Sequence, residues 1–468
     1  MTSYVGFLPA GVLTVGALVL LMAGTFERLR RGVAGASVAI AVASALLYGY
    51  TAWTLPKPQS NFFGMLWVGG LYSLLGLFVT GIAAIGLAFA RRTWADRVEG
   101  WEAFPLTLLM VLALSVLPAS NHLLLAVVAV ETVSLGSYVL VGLSWQNRLA
   151  PEAAIKYFLL SAVGFAVLLL GFSYLYGISG TLYLHHLWTV KWTAWHGHPL
   201  FSLALAMIAI GLLFKLSVFP FHWWAPDVYG GATPEYAGLV VALGKLNAAF
   251  LGGLILHYIE VPSSWLSAFA AIAAASSLYG NLAALGQTSL QRLLGYSSIA
   301  HGSYLLLALV SGPEGRLQAW AYAVVYGLMS VLAFGLMGLK PEPLEEKALR
   351  GLGYRQPAYA LALALTLASL SGMPPLAGFF AKYGLFVAAF RAGHALPTAI
   401  ALVGALIGYA YYWRPIAWLY QGGEGVTARA PVLAVGALLL IVLGLIPSLL
   451  WGWLDYLYGI AGFFLPRP

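Results

Sequence analysis

Apolar stretches of about 20 residues recur from one end of the chain to the other, separated by short polar or Pro/Gly-rich breaks. An α-helix of that length crosses the hydrocarbon core of a bilayer, and within lipid it satisfies its own backbone hydrogen bonds. Hydrophobic residues fill 61% of the 468 positions and charged residues only 8%, whereas soluble domains have about 25% charged residues. The sequence therefore predicts an all-α membrane protein that crosses the bilayer many times.

The spans between these breaks predict about 14 transmembrane helices. They are expected near 4–24, 33–53, 65–90, 103–119, 122–144, 155–177, 200–220, 236–257, 264–285, 293–311, 316–338, 357–391, 397–420 and 431–463. The seventh and twelfth contain internal breaks. The layout predicts two inverted five-helix repeats between terminal segments: 1–100 (helices 1–3), 101–260 (helices 4–8), 261–420 (helices 9–13) and 421–468 (helix 14).

Basic residues outside the spans fall mostly on one side of the predicted topology, as in the loops that hold Arg28, Arg91 and Arg292. Cytoplasmic loops carry the excess of Lys and Arg, so we expect both termini outside the cytoplasm. The net charge of +8 reflects this orientation. It is no sign of nucleic-acid binding, because the sequence has no basic face that could form such a site.

Four charged residues lie inside apolar stretches: Glu131, Lys215, Lys245 and Lys382. A charge at the centre of a spanning helix costs at least about 2.5–3.5 kcal/mol, and such residues usually mark an ion or proton path. The alternative is a set of static ion pairs that fasten helices together. Three lysines and a glutamate in one chain favour the proton path.

Two of the lysines adjoin predicted breaks. Lys215 precedes a run with Pro220, Pro226 and Pro234, and Lys382 follows Pro374-Pro375. Proline removes a backbone donor and clashes with the preceding turn, so each helix should be interrupted there. Interrupted backbone survives in a membrane only where it lines a cavity or is buried in protein. The two breaks predict an ion path near the midplane.

Glu131 and Lys215 form the natural pair. A carboxylate close to an ammonium group helps it to hold its proton, and separation lets the proton go. Lys245 and Lys382 can continue the relay through water. His301 is a further candidate because histidine exchanges protons near neutral pH, although a hydrogen-bonded structural role is equally compatible with its position.

The chain has no cysteine, which excludes disulfides, cysteine-ligated iron–sulfur clusters and thiol catalysis on this chain. It also has no nucleotide-binding fingerprint in a strand-to-helix context. Four histidines between 185 and 198 are interpreted as solvated interfacial residues, since their spacing matches no metal site. We therefore expect no metal or cofactor on this chain.

Several runs resemble the antiporter-like membrane subunits of respiratory complex I, and most closely the N-type subunits of bacterial NADH–quinone oxidoreductases. They are PEAAIKYFLLSAVG (151–164), GLLFKLSVFPFHWWAPDVYGGA (211–232), NLAALGQTSLQRLLGYSSIAHGSYLLLAL (281–309) and SGMPPLAGFFAKYGLF (371–386). The resemblance implies that Glu131, Lys215, Lys245 and Lys382 form the proton pathway of that family.

Two details favour the N-type. The last of the buried charges is Lys382, whereas M-type subunits, which otherwise resemble this pattern, have a glutamate there. The run P-D-V-Y also follows the seventh helix. One departure stands out. The family usually continues Q-G-A-P-T-P, whereas this chain has G-G-A-T-P-E, which adds a carboxylate at Glu235.

The resemblance implies a proton-translocating subunit of the bacterial inner membrane that is driven by quinone reduction elsewhere in the complex. NADH, FMN, iron–sulfur clusters and quinone are then expected on partner subunits, and M-type and K-type chains as membrane neighbours. The alternatives are a subunit of a multi-subunit sodium/proton antiporter or of a membrane-bound hydrogenase. A solitary transporter would need a selective substrate pocket, and a mere scaffold would not need buried lysines.

Overall fold

The computed structural model describes residues 5–94, 100–143, 148–340 and 344–421. The predicted fourteenth helix, 431–463, lies outside the described residues. Within them the chain is almost entirely helical, and ten helices are long and apolar enough to cross a membrane. The chain divides into two compact units. The first holds the described residues up to Lys215 together with Leu243–Pro262, and the second holds Leu216–Ala242 and the described residues from Ser263 onwards.

Long apolar helices build the first unit because Leu, Ala, Val and Gly dominate them, and a helix satisfies its own backbone hydrogen bonds within lipid. They are α1 (Leu8–Thr25), α2 (Glu27–Thr54), α3 (Gly70–Trp94), α4 (Ala103–Val116), α5 (Leu123–Gly142), α6 (Ala150–Ser179) and α7 (Pro199–Leu216). The latter part of α9 (Pro234–Tyr258) belongs to this unit as well.

The first unit also contains a short two-stranded hairpin. Strand β1 (Gln59–Asn61) pairs antiparallel with β2 (Leu66–Val68). Asn121 joins this hairpin to a later loop: its Nδ2 donates to the Gly64 carbonyl and to His185 Nδ1, each at 2.7 Å. His185 therefore makes a structural contact in the loop that holds the histidine cluster.

The second unit contains the remaining helices. They are α8 (Ala225–Gly231), the start of α9, α10 (Ser263–Leu285), α11 (Leu290–Leu309), α12 (Gly312–Gly338), α13 (Glu346–Leu349), α14 (Leu352–Arg355), α15 (Pro357–Ser371), α16 (Ala377–Arg391) and α17 (Ala395–Leu419). Helix α10 packs against α11 and α17, and α12 packs against α15 and α16. Almost the whole length of α12 is buried.

Both predicted breaks are confirmed. Helix α7 ends at Leu216, one residue after Lys215, and Ser217 has a φ of +55°. The predicted twelfth helix divides into α15 and α16, and Gly372, with a φ of +89°, follows the last residue of α15. Left-handed backbone suits glycine, and the prolines that follow cannot continue the helix.

The polar interval 339–356 contains two single-turn helices in its described part, α13 and α14. Gly351, with a φ of +73°, separates them and explains why a continuous helix does not form.

Candidate proton-conducting site

The first unit brings Glu131 and Lys215 into electrostatic range of each other. The Lys215 ammonium donates to Ser134 Oγ at 2.8 Å rather than to the carboxylate itself. Ser134 lies one turn beyond Glu131 on α5, and Glu131 Oε2 is buried without a hydrogen bond to the described part of the chain. The direct partner of the ammonium is therefore a hydroxyl group, which itself donates to the Val130 carbonyl at 3.0 Å. A hydroxyl group both donates and accepts, so Ser134 can relay a proton from the lysine.

Lys245 is buried in the same unit, with 1% of its surface exposed. Asn247, two residues later on α9, donates from Nδ2 to the Val130 carbonyl at 3.1 Å. Val130 directly precedes Glu131, so this bond holds the second half of α9 against the glutamate-bearing turn of α5. Three of the predicted charges thus belong to one compact unit.

Lys382 is buried in the second unit and reaches back across the helix break. Its ammonium donates to the carbonyls of Leu370 at 2.7 Å and Ser371 at 3.0 Å. These carbonyls end α15, where they lack intrahelical donors and where the helix dipole favours a cation. The break therefore makes the site for the lysine, because a continuous helix would have used both carbonyls itself.

Gly372 leaves room for this contact. A Cβ added there would lie 3.1 Å from Lys382 Cδ, and its positive φ already disfavours other residues. Beside the lysine, a cavity of about 560 Å³ runs between α16 and α17. Aromatic and aliphatic side chains line most of it, including Phe379, Phe386 and Tyr409. The hydrated surroundings expected for Lys382 are thus largely apolar on this side.

His301 is 1% exposed and has a phenol hydroxyl at each ring nitrogen. Nδ1 lies 2.5 Å from the Tyr322 hydroxyl and Nε2 lies 3.1 Å from the Tyr412 hydroxyl. The Tyr412 hydroxyl is also hydrogen-bonded to Ser297. A neutral imidazole accepts at one nitrogen and donates at the other, so it can take a proton on one side and release one on the opposite side.

Tyr304 lies between His301 and Lys382. Its ring is 5.6 Å from the His301 ring, and the Lys382 ammonium lies 5.6 Å from its centroid. Asn281 donates to the Tyr304 hydroxyl at 3.1 Å and accepts from the Tyr411 hydroxyl at 2.9 Å. The second unit therefore encloses a polar cluster of two hydrogen-bonded groups, one around His301 and one around Asn281, that meet through the ring contacts Tyr304–His301 and Tyr411–Tyr412.

Sequence reasoning missed the tyrosines and the asparagine of this cluster, namely Tyr304, Tyr322, Tyr411, Tyr412 and Asn281. The sequence does contain a signal for these residues: each is a polar residue inside a predicted span, and a polar group buried there requires a hydrogen-bond partner.

The family described as NADH:quinone oxidoreductase/Mrp antiporter, transmembrane region, matches residues 120–408, which include all five predicted site residues. The chain belongs to this family. It is 35% identical over 468 residues to NADH-quinone oxidoreductase subunit N of Laribacter hongkongensis, with 94% of each chain covered. The resemblance to the N-type subunits is thereby confirmed.

Solved structures agree with the family assignment. A chain of Thermus thermophilus respiratory complex I with bound aureothin is 32% identical, with a TM-score of 0.79 over 94% of this chain and 98% of that one. A chain of an archaeal membrane-bound sulfane sulfur reductase has a TM-score of 0.87 at 23% identity, covering 97% of this chain and 96% of that one. The second likeness shows that the fold is shared.

Proposed function

We propose that this chain is a proton-translocating subunit of a bacterial NADH–quinone oxidoreductase, and that Glu131, Lys215, Lys245, His301 and Lys382 carry the protons. The observation that carries the proposal is the buried His301 imidazole, held between two phenol hydroxyls and linked to Lys382 through contacts of both with the Tyr304 ring. Simple helix packing does not require a titratable ring with a donor and an acceptor on opposite sides.

In the first unit, the separation of Glu131 from Lys215 sets the proton affinity of the lysine. When the carboxylate approaches, Lys215 holds its proton; when it withdraws, the proton passes to Ser134 or to a water molecule. Lys245 accepts a proton as the next group in this unit. Each transfer leaves the donor deprotonated, and uptake of another proton returns it to its previous state, so the cycle can repeat.

In the second unit, a proton reaches one nitrogen of His301 and another leaves from the opposite nitrogen. The phenol groups around His301 and Tyr304 carry it towards Lys382. The α15 carbonyls stabilise Lys382 when it is charged, and hydrogen bonds to a charged group contribute about 1.5–3 kcal/mol each. Movement of the break away from the ammonium would release the proton.

The energy would come from partner subunits that hold NADH, FMN, iron–sulfur clusters and quinone. M-type and K-type chains would be the membrane neighbours, in the bacterial inner membrane, with both termini outside the cytoplasm. The two lysine-bearing helix breaks support two inverted five-helix repeats, 101–260 and 261–420, within a fold of about 14 helices.

The test begins with purification of the tagged chain in mild detergent. We expect NADH:quinone reductase activity and M-type and K-type subunits to co-purify, and the reconstituted complex to acidify one side of vesicles during quinone reduction. Sodium/proton exchange without a redox partner would replace this proposal with the antiporter function. If a hydrogenase co-purifies instead, the proposal would have to be changed in its electron donor, which would no longer be NADH.

A further inference from the structure

Helix α12 carries a polar side chain at every fourth position: Gln318, Tyr322, Tyr326 and Ser330. All four are at most 4% exposed, and the other residues of this helix from Leu317 to Gly338 are apolar. Residues four apart lie above one another on a helix, so these side chains follow one stripe through the second unit. We call this stripe the α12 ladder.

The ladder passes directly beside His301. The Tyr322 hydroxyl is bonded to His301 Nδ1, and the Tyr326 ring stacks on the imidazole with 4.5 Å between centroids. Ser330 lies one turn beyond Tyr326, towards the C-terminal end of α12. The ladder therefore extends from His301 towards that end of the helix.

A buried carboxylate lies where α12 ends. Glu235, in the first turn of α9, is 6% exposed, and a methyl group added to Gly338 would lie 2.5 Å from its Oε2. One turn later on α9, a Cβ added to Gly238 would be 3.5 Å from the Ser330 carbonyl oxygen. The first turns of α9 thus pack along the last turns of α12, and glycine at 338 leaves space for the carboxylate.

The end of the unit that holds Glu235 also carries several charged groups. Asp227 of α8 pairs with Arg292 of α11 at 3.3 Å, and Lys340 follows α12. The neighbouring elements also carry the buried Tyr229, Tyr236 and Tyr359, the exposed Arg355 and the half-buried Tyr296, besides Tyr322, Tyr326 and His301 named above. Glu235 is a buried carboxylate near the exposed Asp227–Arg292 pair. It lies beside Gly338, eight residues or about 12 Å of helix rise beyond Ser330, the last polar residue of the ladder.

We propose that Glu235 is the proton-uptake group of the second unit and delivers protons to the α12 ladder. The inference rests on the proposed function. The Glu235 carboxylate takes a proton from water at this end, passes it through a chain of water molecules to the Ser330 hydroxyl, and returns to its ionised form. The proton then moves past Tyr326 to His301.

An acidic residue in the first turn of a helix also stabilises the helix dipole, and the test must separate that role from proton uptake. Glu314 supplies the matched control: it lies in the first turn of α12, at the opposite end of that helix, and pairs with Arg391 at 3.2 Å. Glu235→Gln, Glu235→Asp and Glu314→Gln are compared in the intact, reconstituted complex, with proton pumping and quinone reduction measured across pH.

We expect Glu235→Gln to slow pumping about tenfold or more at alkaline pH, where protons are scarce, and much less at acidic pH, where water supplies them directly. Glu235→Asp should restore most of the rate, and Glu314→Gln should keep the wild-type pH profile. A Glu235→Gln profile parallel to that of the wild type would overturn the inference.

If Glu235→Gln fails to assemble, Gly338→Ala displaces the carboxylate without removing it and should produce the same alkaline defect. An unchanged pH profile in that variant would equally reject the inference. Lys382→Leu distinguishes the two proposals. If Lys382→Leu loses pumping and Glu235→Gln keeps the wild-type pH profile, only the inference about proton uptake at Glu235 is rejected. If Lys382→Leu pumps fully, the proposed function itself is rejected.

Discussion

Replacement of Tyr304 by phenylalanine tests the relay with little change in shape. The substitution removes one hydroxyl group and its hydrogen bond from Asn281 Nδ2, 3.1 Å long. Asn281 keeps a second bond from Nδ2 to the Ser277 carbonyl at 2.7 Å, so its amide is not left unpaired. We expect a loss of stability of about 1 kcal/mol, the net contribution of one hydrogen bond.

The effect on function should be much larger. The Tyr304 hydroxyl is hydrogen-bonded to Asn281, and its ring lies in contact with both the His301 imidazole and the Lys382 ammonium. In the proposed relay this hydroxyl takes part in transfer between His301 and Lys382. A positioned group in proton transfer contributes about 10²-fold or more to the rate, so pumping by Tyr304→Phe should fall by about that factor. Vesicles that contain the reconstituted complex, with a pH-sensitive dye and simultaneous quinone reduction, measure this directly.

Tyr48→Phe is the matched control. Tyr48 is also a buried tyrosine that donates to one polar side chain, Ser115 Oγ at 2.9 Å, but it lies on α2 of the first unit, whereas Tyr304 belongs to the second. The Tyr48→Phe variant should lose about as much stability as Tyr304→Phe and should retain pumping. Equal pumping in Tyr304→Phe and Tyr48→Phe would refute the role of the Tyr304 hydroxyl.

Two further predictions concern the first unit. Glu131→Gln and Lys215→Ala should each impair pumping and coupled quinone reduction, and the double variant should lose much less than the two separate losses combined; fully additive losses would show that the residues act independently. Burial, and then the neighbouring His186, lower the pKa of the His185 imidazole from its ordinary value of 6.5. The unfolded chain therefore binds more protons at this site, so the stability that the neutral ring contributes is present above pH 6.5 and is lost as the pH falls below it. His185→Gln should flatten this acid limb of thermal unfolding curves, and an unchanged acid limb would exclude His185 as its cause.

The sequence alone was sufficient to predict the helix breaks and the buried lysines, because proline and charge are rare and costly within a span. It did not reveal that the α15 carbonyls, rather than a carboxylate, hold Lys382. That contact depends on where Gly372 turns the backbone, which charge patterns do not specify. The same limit applies to Lys215, whose direct partner is Ser134.

The polar cluster around His301 was harder to foresee for a different reason. Tyrosine is amphipathic, and within an apolar helix it contributes to packing as readily as to a hydrogen-bond chain. Only the packing of α11, α12 and α17 shows that Tyr322 and Tyr412 meet the same imidazole. The four-residue spacing on α12 is visible in the sequence, but its meaning depends on the residues that face it.

The most direct test of the central claim is proton pumping by the reconstituted complex with either Lys382→Glu or Lys382→Leu. Glutamate keeps a titratable group beside the helix break, whereas leucine removes it and retains apolar bulk. A relay through titratable groups predicts that the glutamate variant pumps in part and that the leucine variant loses most pumping while remaining assembled. Equal pumping by the two variants would contradict the account and leave Lys382 as a structural cap on α15.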